Sequence, residues 1–119
     1  MNRNELENRT KQFHISVIRL CNLLPKTTAS FETAKQLIRS AGSVGANYRA
    51  TKRAKSTNDF LNKLKIIIEE ADESKYWLEV IRDIPLLQEK ELERLIQEAD
   101  ELTSIFVASH KTVVYNKER

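Results

Sequence analysis

Lys35, Arg39, Arg49 and Arg53 recur at spacings that place them within roughly an 80° sector of a single α-helix. Lys52 flanks that stripe and Lys55 lies beyond it. Lys63 and Lys65 follow after a short turn, near the same end of the structure. Side chains of this kind neutralise backbone phosphates and release counterions, so the eight are candidate nucleic-acid-binding residues. Arg outnumbers Lys within the stripe itself, which suits bidentate phosphate contacts. Two other uses compete for the same charges: a solvated face, or a contact with an acidic surface on another subunit.

Little else in the chain has the makings of chemistry. The two His, His14 and His110, lie far apart and match no metal-ligand spacing, so no metal or cofactor is expected. The single Cys21 falls on an apolar stripe and reads as core rather than nucleophile. Gly42 and Gly45 lie inside a helical pattern with no Lys-Ser/Thr after them, so they form no phosphate loop. Arg9 and His14 share the Arg-x4-His spacing of the helical ribonucleases called HEPN domains. In so basic a chain that spacing arises readily by chance, and it sits near the N-terminus, where that motif is not expected. No catalytic residue is assigned and the chain is read as a non-enzyme.

These residues need elements to hold them, and composition limits the choice. A chain of 119 residues suits one domain, here taken as 1–119. With 2 Gly and 2 Pro there is little turn chemistry for hairpins, and 40% apolar with 31% charged residues argues against disorder. One Cys excludes an intramolecular disulfide framework. No apolar leader or membrane-length run is present, so the expected location is the cytoplasm, away from any membrane.

Apolar residues recur at helical spacing in four segments, about 5–24, 30–55, 57–84 and 88–110, leaving a frayed tail over 111–119. Pro25 and Pro85 end the first and third. Ser30 is the expected cap of the second helix, and Ser56 with Asp59 resembles a capping box for the third. Gly42 and Gly45, next to Ala41 and Ala46, predict close approach of a neighbouring backbone, with a kink as the alternative. Short links make the helices antiparallel, so the fold class is all-α: an up-down-up-down four-helix bundle. That register sets Arg39 level with Glu73 and predicts an ion pair, leaving Arg39 less free than Arg49 and Arg53. Tyr76 and Trp77 are read as core or oligomer-interface residues.

The net charge of +3 conceals a division. Residues 1–65 hold 13 of the 20 Lys and Arg but 4 of the 17 Asp and Glu, a charge of +9, and the remainder carries −6. Such a surface can bind phosphates, or it can assemble head to tail into a ring.

Three blocks now carry a resemblance. The run Leu37 to Arg49 (LIRSAGSVGANYR), then Ser56-x-x-Asp59-Phe60-x-x-Lys63-Leu64, then Glu70-Ala-x-Glu73-x-x-Tyr76-Trp77-Leu78, resembles the four-helix-bundle proteins known as 23S rRNA intervening-sequence proteins. The resemblance implies a homopentameric ring and no established catalytic residues. It also implies kinship with the accessory bundle of diversity-generating retroelements, which binds nucleic acid and a reverse transcriptase through a basic surface. The implied partners are therefore further copies of the chain, RNA or DNA, or a protein. The sequence departs from the family pattern at Ala50, where an acid is common, and at Lys52, Arg53 and Lys55. Those departures make the second helix more basic and favour phosphate binding. A structural or adaptor role, with the divided charge serving assembly, is the alternative.

Overall fold

The first three helices begin where a short polar side chain takes up an otherwise unpaired backbone N–H, whereas the fourth starts after Glu89 with no side-chain cap. A computed structural model describes residues 1–119. In it α1 spans Arg3–Cys21, α2 Thr28–Ala50, α3 Thr57–Asp83 and α4 Lys90–Glu118. Asn2 caps α1 by accepting from the Glu5 N–H at 2.8 Å. Ser56 caps α3 by accepting from the Asp59 N–H at 3.0 Å, while Asp59 accepts from the Lys55 N–H at 2.9 Å. The cap of α2 is Thr27, not Ser30: the Ser30 N–H donates to Thr27 Oγ1 at 3.2 Å. Both residues can cap, and the earlier one adds helix and leaves Ser30 buried in the first turn.

α2 runs unbroken through Gly42 and Gly45, and neither has positive φ, so the kinked alternative is not what the chain adopts. It ends at Ala50, short of the expected boundary at 55, and tightens into a 3-10 turn over Thr51–Arg53. This end is held from across the bundle. Arg3 Nη2 donates to the Tyr48 carbonyl at 3.0 Å and to Thr51 Oγ1 at 2.7 Å, and its guanidinium lies 4.7 Å from the Tyr48 ring centroid. Lys52 and Arg53 therefore sit on the 3-10 turn and Lys55 in the link after it.

α4 also departs from expectation. Residues 111–118 continue the helix rather than fraying. No Gly or Pro interrupts them, Val113 and Val114 are half-buried, and Lys117 hydrogen-bonds Asn58 on α3. At 1.5 Å per residue this 29-residue helix is about 43 Å long, most of the 51 Å long axis.

The helices form an up-down-up-down bundle in square order. α1 packs on α2 and α4, and α3 on α2 and α4, while the backbones of the diagonal pairs stay apart and meet only through core side chains. Phe13, Leu37, Ile67, Leu95 and Phe106 lie in one continuous apolar core, with the Tyr48 and Phe106 rings 5.2 Å apart edge-on. The buried hydroxyls of Ser40 and Ser74 lie 2.9 Å apart between α2 and α3, so that one donates to the other, which in turn donates to a carbonyl of its own helix. Cys21 is half-buried against the core, and burial pushes its thiol pKa up to about 11. No helix is long and apolar enough to cross a membrane.

Candidate nucleic-acid interface

The eight basic residues singled out from sequence divide into held and free. Arg39 reaches Glu70 at 3.1 Å and Glu73 at 2.5 Å, the pair that antiparallel register predicts. Those carboxylates raise the Arg39 pKa, the Glu73 hydrogen bond contributing most. Lys63 Nζ lies 2.9 and 3.1 Å from the two carboxylate oxygens of Asp59, one turn earlier. Lys52 Nζ lies 3.0 Å from Glu7 on α1. Lys35, Arg49, Arg53, Lys55 and Lys65 are exposed and pair with no acid.

Nor do these residues form one surface. Arg49 and Lys52 line a groove between α1 and α2. Lys65 lines another, between α3 and α4, with Asn58, Asn62, His110 and Lys117. In a square bundle those two grooves face opposite ways, so Lys65 does not extend the Arg49 surface. Lys35 lies toward the far end of α2, four residues before the committed Arg39.

The α1/α2 groove is the most developed feature of the basic end. It has a volume of about 490 Å³ and opens to solvent. Gly42, Gly45 and Ala46 form its α2 floor. The glycines are there because α1 comes close. A Cβ at position 42 would lie 2.9 Å from Cε1 and Nε2 of the His14 ring, and one at 45 would lie 3.4 Å from Thr10 Oγ1. α1 supplies the opposite wall with Asn8, Lys11 and His14. Lys11 is exposed and unpaired. Glu7, the single acid of the lining, is taken up by Lys52.

The α1 wall escapes a sequence reading confined to α2. Its signal is the pair of glycines, which announces a close neighbour without saying which helix it is. His14 matters here as part of that wall and not through Arg9. Arg9 points to α4, where it bonds Glu98 at 2.8 and 2.6 Å and Glu101 at 3.3 Å. The Arg-x4-His spacing therefore brings no ribonuclease-like pair together.

Tyr76 and Trp77 lie on α3 with ring centroids 5.0 Å apart. Trp77 packs against the core and its Nε1–H donates to Glu73 at 3.3 Å, the same carboxylate that holds Arg39. Tyr76 is 56% exposed. No cluster of His, Cys, Asp and Glu could hold a metal ion.

The fold and this surface define an antiparallel four-helix bundle with a basic groove near one end. The chain belongs to the 23S rRNA-intervening sequence protein family, whose model matches residues 2–108. It is similar to a protein of unknown function from the S23 ribosomal protein family of Bacteroides thetaiotaomicron VPI-5482, known from a crystal structure. The two are 30% identical, with a TM-score of 0.84 over 93% of this chain and 99% of that one. No curated protein matches the chain.

Proposed function

We propose that this bundle is a non-enzymatic nucleic-acid-binding protein that grips RNA or DNA through phosphate contacts at the end where α2 passes into α3. The observation that supports this reading is the gathering there of cations without acid partners: Lys11, Arg49, Arg53 and Lys55, with Lys52 shared with Glu7. Arg9, Arg39, Lys75 and Arg94 are by contrast each matched to a carboxylate, while Lys35 and Lys65 are unmatched but lie outside the α1/α2 groove. Unpaired charges packed at one end raise the local potential and favour a polyanion. The family's description, which names 23S rRNA, agrees with RNA as that polyanion. The combined change of Arg49, Lys52 and Arg53 to Glu tests the reading. All three side chains are exposed, so folding should survive. Binding of a 20-nucleotide RNA at low salt should fall at least tenfold, with unchanged mass by light scattering. Equal affinity in variant and wild type would contradict it.

A second reading, a structural or adaptor role through self-assembly into a ring, has its own support. Phe31 on α2, Tyr76 on α3 and Ile84 just past the end of α3 are exposed apolar side chains outside the basic groove, and Trp77 beside Tyr76 is half-buried. On this reading, Tyr76→Ala with Trp77→Ala lowers the solution mass, and the triple Glu variant dissociates without any nucleic acid present.

A further inference from the structure

The α1/α2 groove is shaped differently from a surface that merely tracks a backbone. A phosphodiester stripe needs only exposed cations on a convex helix. Here the donors converge from two helices onto a hollow whose floor has lost its side chains at Gly42 and Gly45. The volume of about 490 Å³ falls within the range of small-molecule sites. Ala46 is the one apolar side chain of the lining, beside six polar or charged ones that offer partners to a polar occupant.

Charge narrows the choice further. Lys52 and Glu7 neutralise each other at 3.0 Å, which leaves Lys11 and Arg49 as two uncompensated positive charges. A phosphodiester carries one negative charge, whereas a phosphate monoester carries about 1.5 to 2 near neutral pH, with three acceptor oxygens. The Arg49 guanidinium can hold two of those oxygens, the Lys11 ammonium the third, and the Asn8 amide and a His14 ring N–H add further donors.

We infer that this groove is a binding site for a phosphate monoester, the terminal phosphate of a free nucleotide or of a nucleic-acid chain. The inference rests on the reading of this end as a nucleic-acid surface for its chain-end form, and on groove chemistry alone for its free-nucleotide form.

The chain provides its own reporter. Its only 2 glycines, Gly42 and Gly45, both lie on the groove floor. Protein labelled with 15N at glycine therefore gives two backbone amide peaks, both from the site. Titration with adenosine 5′-monophosphate, and separately with inorganic phosphate, should shift both peaks, while adenosine should leave them in place. Lys11→Ala and Arg49→Ala replace exposed side chains, and each should weaken the monophosphate response about tenfold with helicity unchanged. Peaks that respond to adenosine as much as to its monophosphate, or a response that survives both substitutions, would overturn the site.

A parallel arm identifies the source of the phosphate. Affinities are compared for one 3′-labelled RNA bearing either a 5′-phosphate or a 5′-hydroxyl. At least fivefold tighter binding of the phosphorylated form, lost in Arg49→Ala, supports recognition of a chain end. Equal affinities of the two RNAs, with the peaks still moved by the monophosphate, support the free nucleotide and exclude the chain end. RNA that binds equally in both forms while monophosphate moves nothing refutes the inference and leaves the proposed function standing. Monophosphate that binds while neither RNA does refutes the proposed function and leaves the phosphate site.

Discussion

The contact between His14 and the groove floor makes a double-mutant prediction. In an exposed helix interior, Gly→Ala gains about 1 kcal/mol from propensity and from reduced freedom of the unfolded chain. At position 45 the new Cβ would meet Thr10 at 3.4 to 3.5 Å, ordinary van der Waals distance. Gly45→Ala should therefore stabilise by about 0.5–1 kcal/mol. At position 42 the new Cβ would lie 2.9 Å from the His14 ring, so the imidazole must swing aside. Holding a side chain off its rotamer costs about 0.5–1.5 kcal/mol, comparable to the gain. Gly42→Ala should then be neutral to within about 0.5 kcal/mol in the native background. With His14→Ala present the obstruction is gone, and Gly42→Ala should recover its full gain. The coupling between the two positions is about 1 kcal/mol. Urea unfolding followed by helical circular dichroism, at one protein concentration throughout, measures all four corners of the cycle. Equal stabilisation by Gly42→Ala with and without His14 would refute the close approach that builds the groove.

Other consequences follow from the pairing of charges and from burial. Arg39→Ala should leave RNA affinity within twofold of wild type in a fluorescence anisotropy titration, because Glu70 and Glu73 already hold that guanidinium, whereas Arg49→Ala should weaken it several-fold. The Cys21 thiol, raised to about 11 by burial, should alkylate slowly with iodoacetamide at pH 8 and about tenfold faster per pH unit up to that value, as followed by intact mass. The Asp59 carboxyl is held below its usual value, first by the Lys55 N–H and then by Lys63. A depressed carboxylate contributes stability above the unfolded-state pKa of about 4 and loses it as pH falls through the lower folded value. The melting-temperature gap between wild type and Asp59→Ala should be constant from pH 7 to 5 and shrink below about pH 4.

What the sequence made legible depended on whether the cause was local. The four apolar stripes and the Ser56 cap are local, and both appear in the bundle. The Arg39–Glu73 pair needed one inference more, antiparallel register from a short link, and that sufficed. The start of α2 was misplaced because Thr27 and Ser30 are both competent caps and an apolar period does not fix its own beginning. The end of α2 is held by Arg3 reaching across to Tyr48 and Thr51, contacts 45 and 48 residues apart that no local window contains. The last turns of α4 carry charges that dilute the period, and Val113 and Val114 are only half-buried. The basic surface suffered most. A helical wheel gives directions on one helix but not which neighbour lies there. Lys65 thus turned out to line the opposite groove, and the α1 wall of Lys11 and His14 went unseen.

The central claim, that cations at one end of the bundle bind nucleic acid by its phosphates, is tested most directly by the salt dependence of RNA affinity. Lys11, Arg49, Arg53 and Lys55 are four unpaired cations there. At about 0.7 counterions released per phosphate neutralised on a single strand, log affinity against log salt should fall with a slope near −3, between about −2 and −4. A slope shallower than about −1, or no binding at 50 mM salt by a folded protein, would contradict the account.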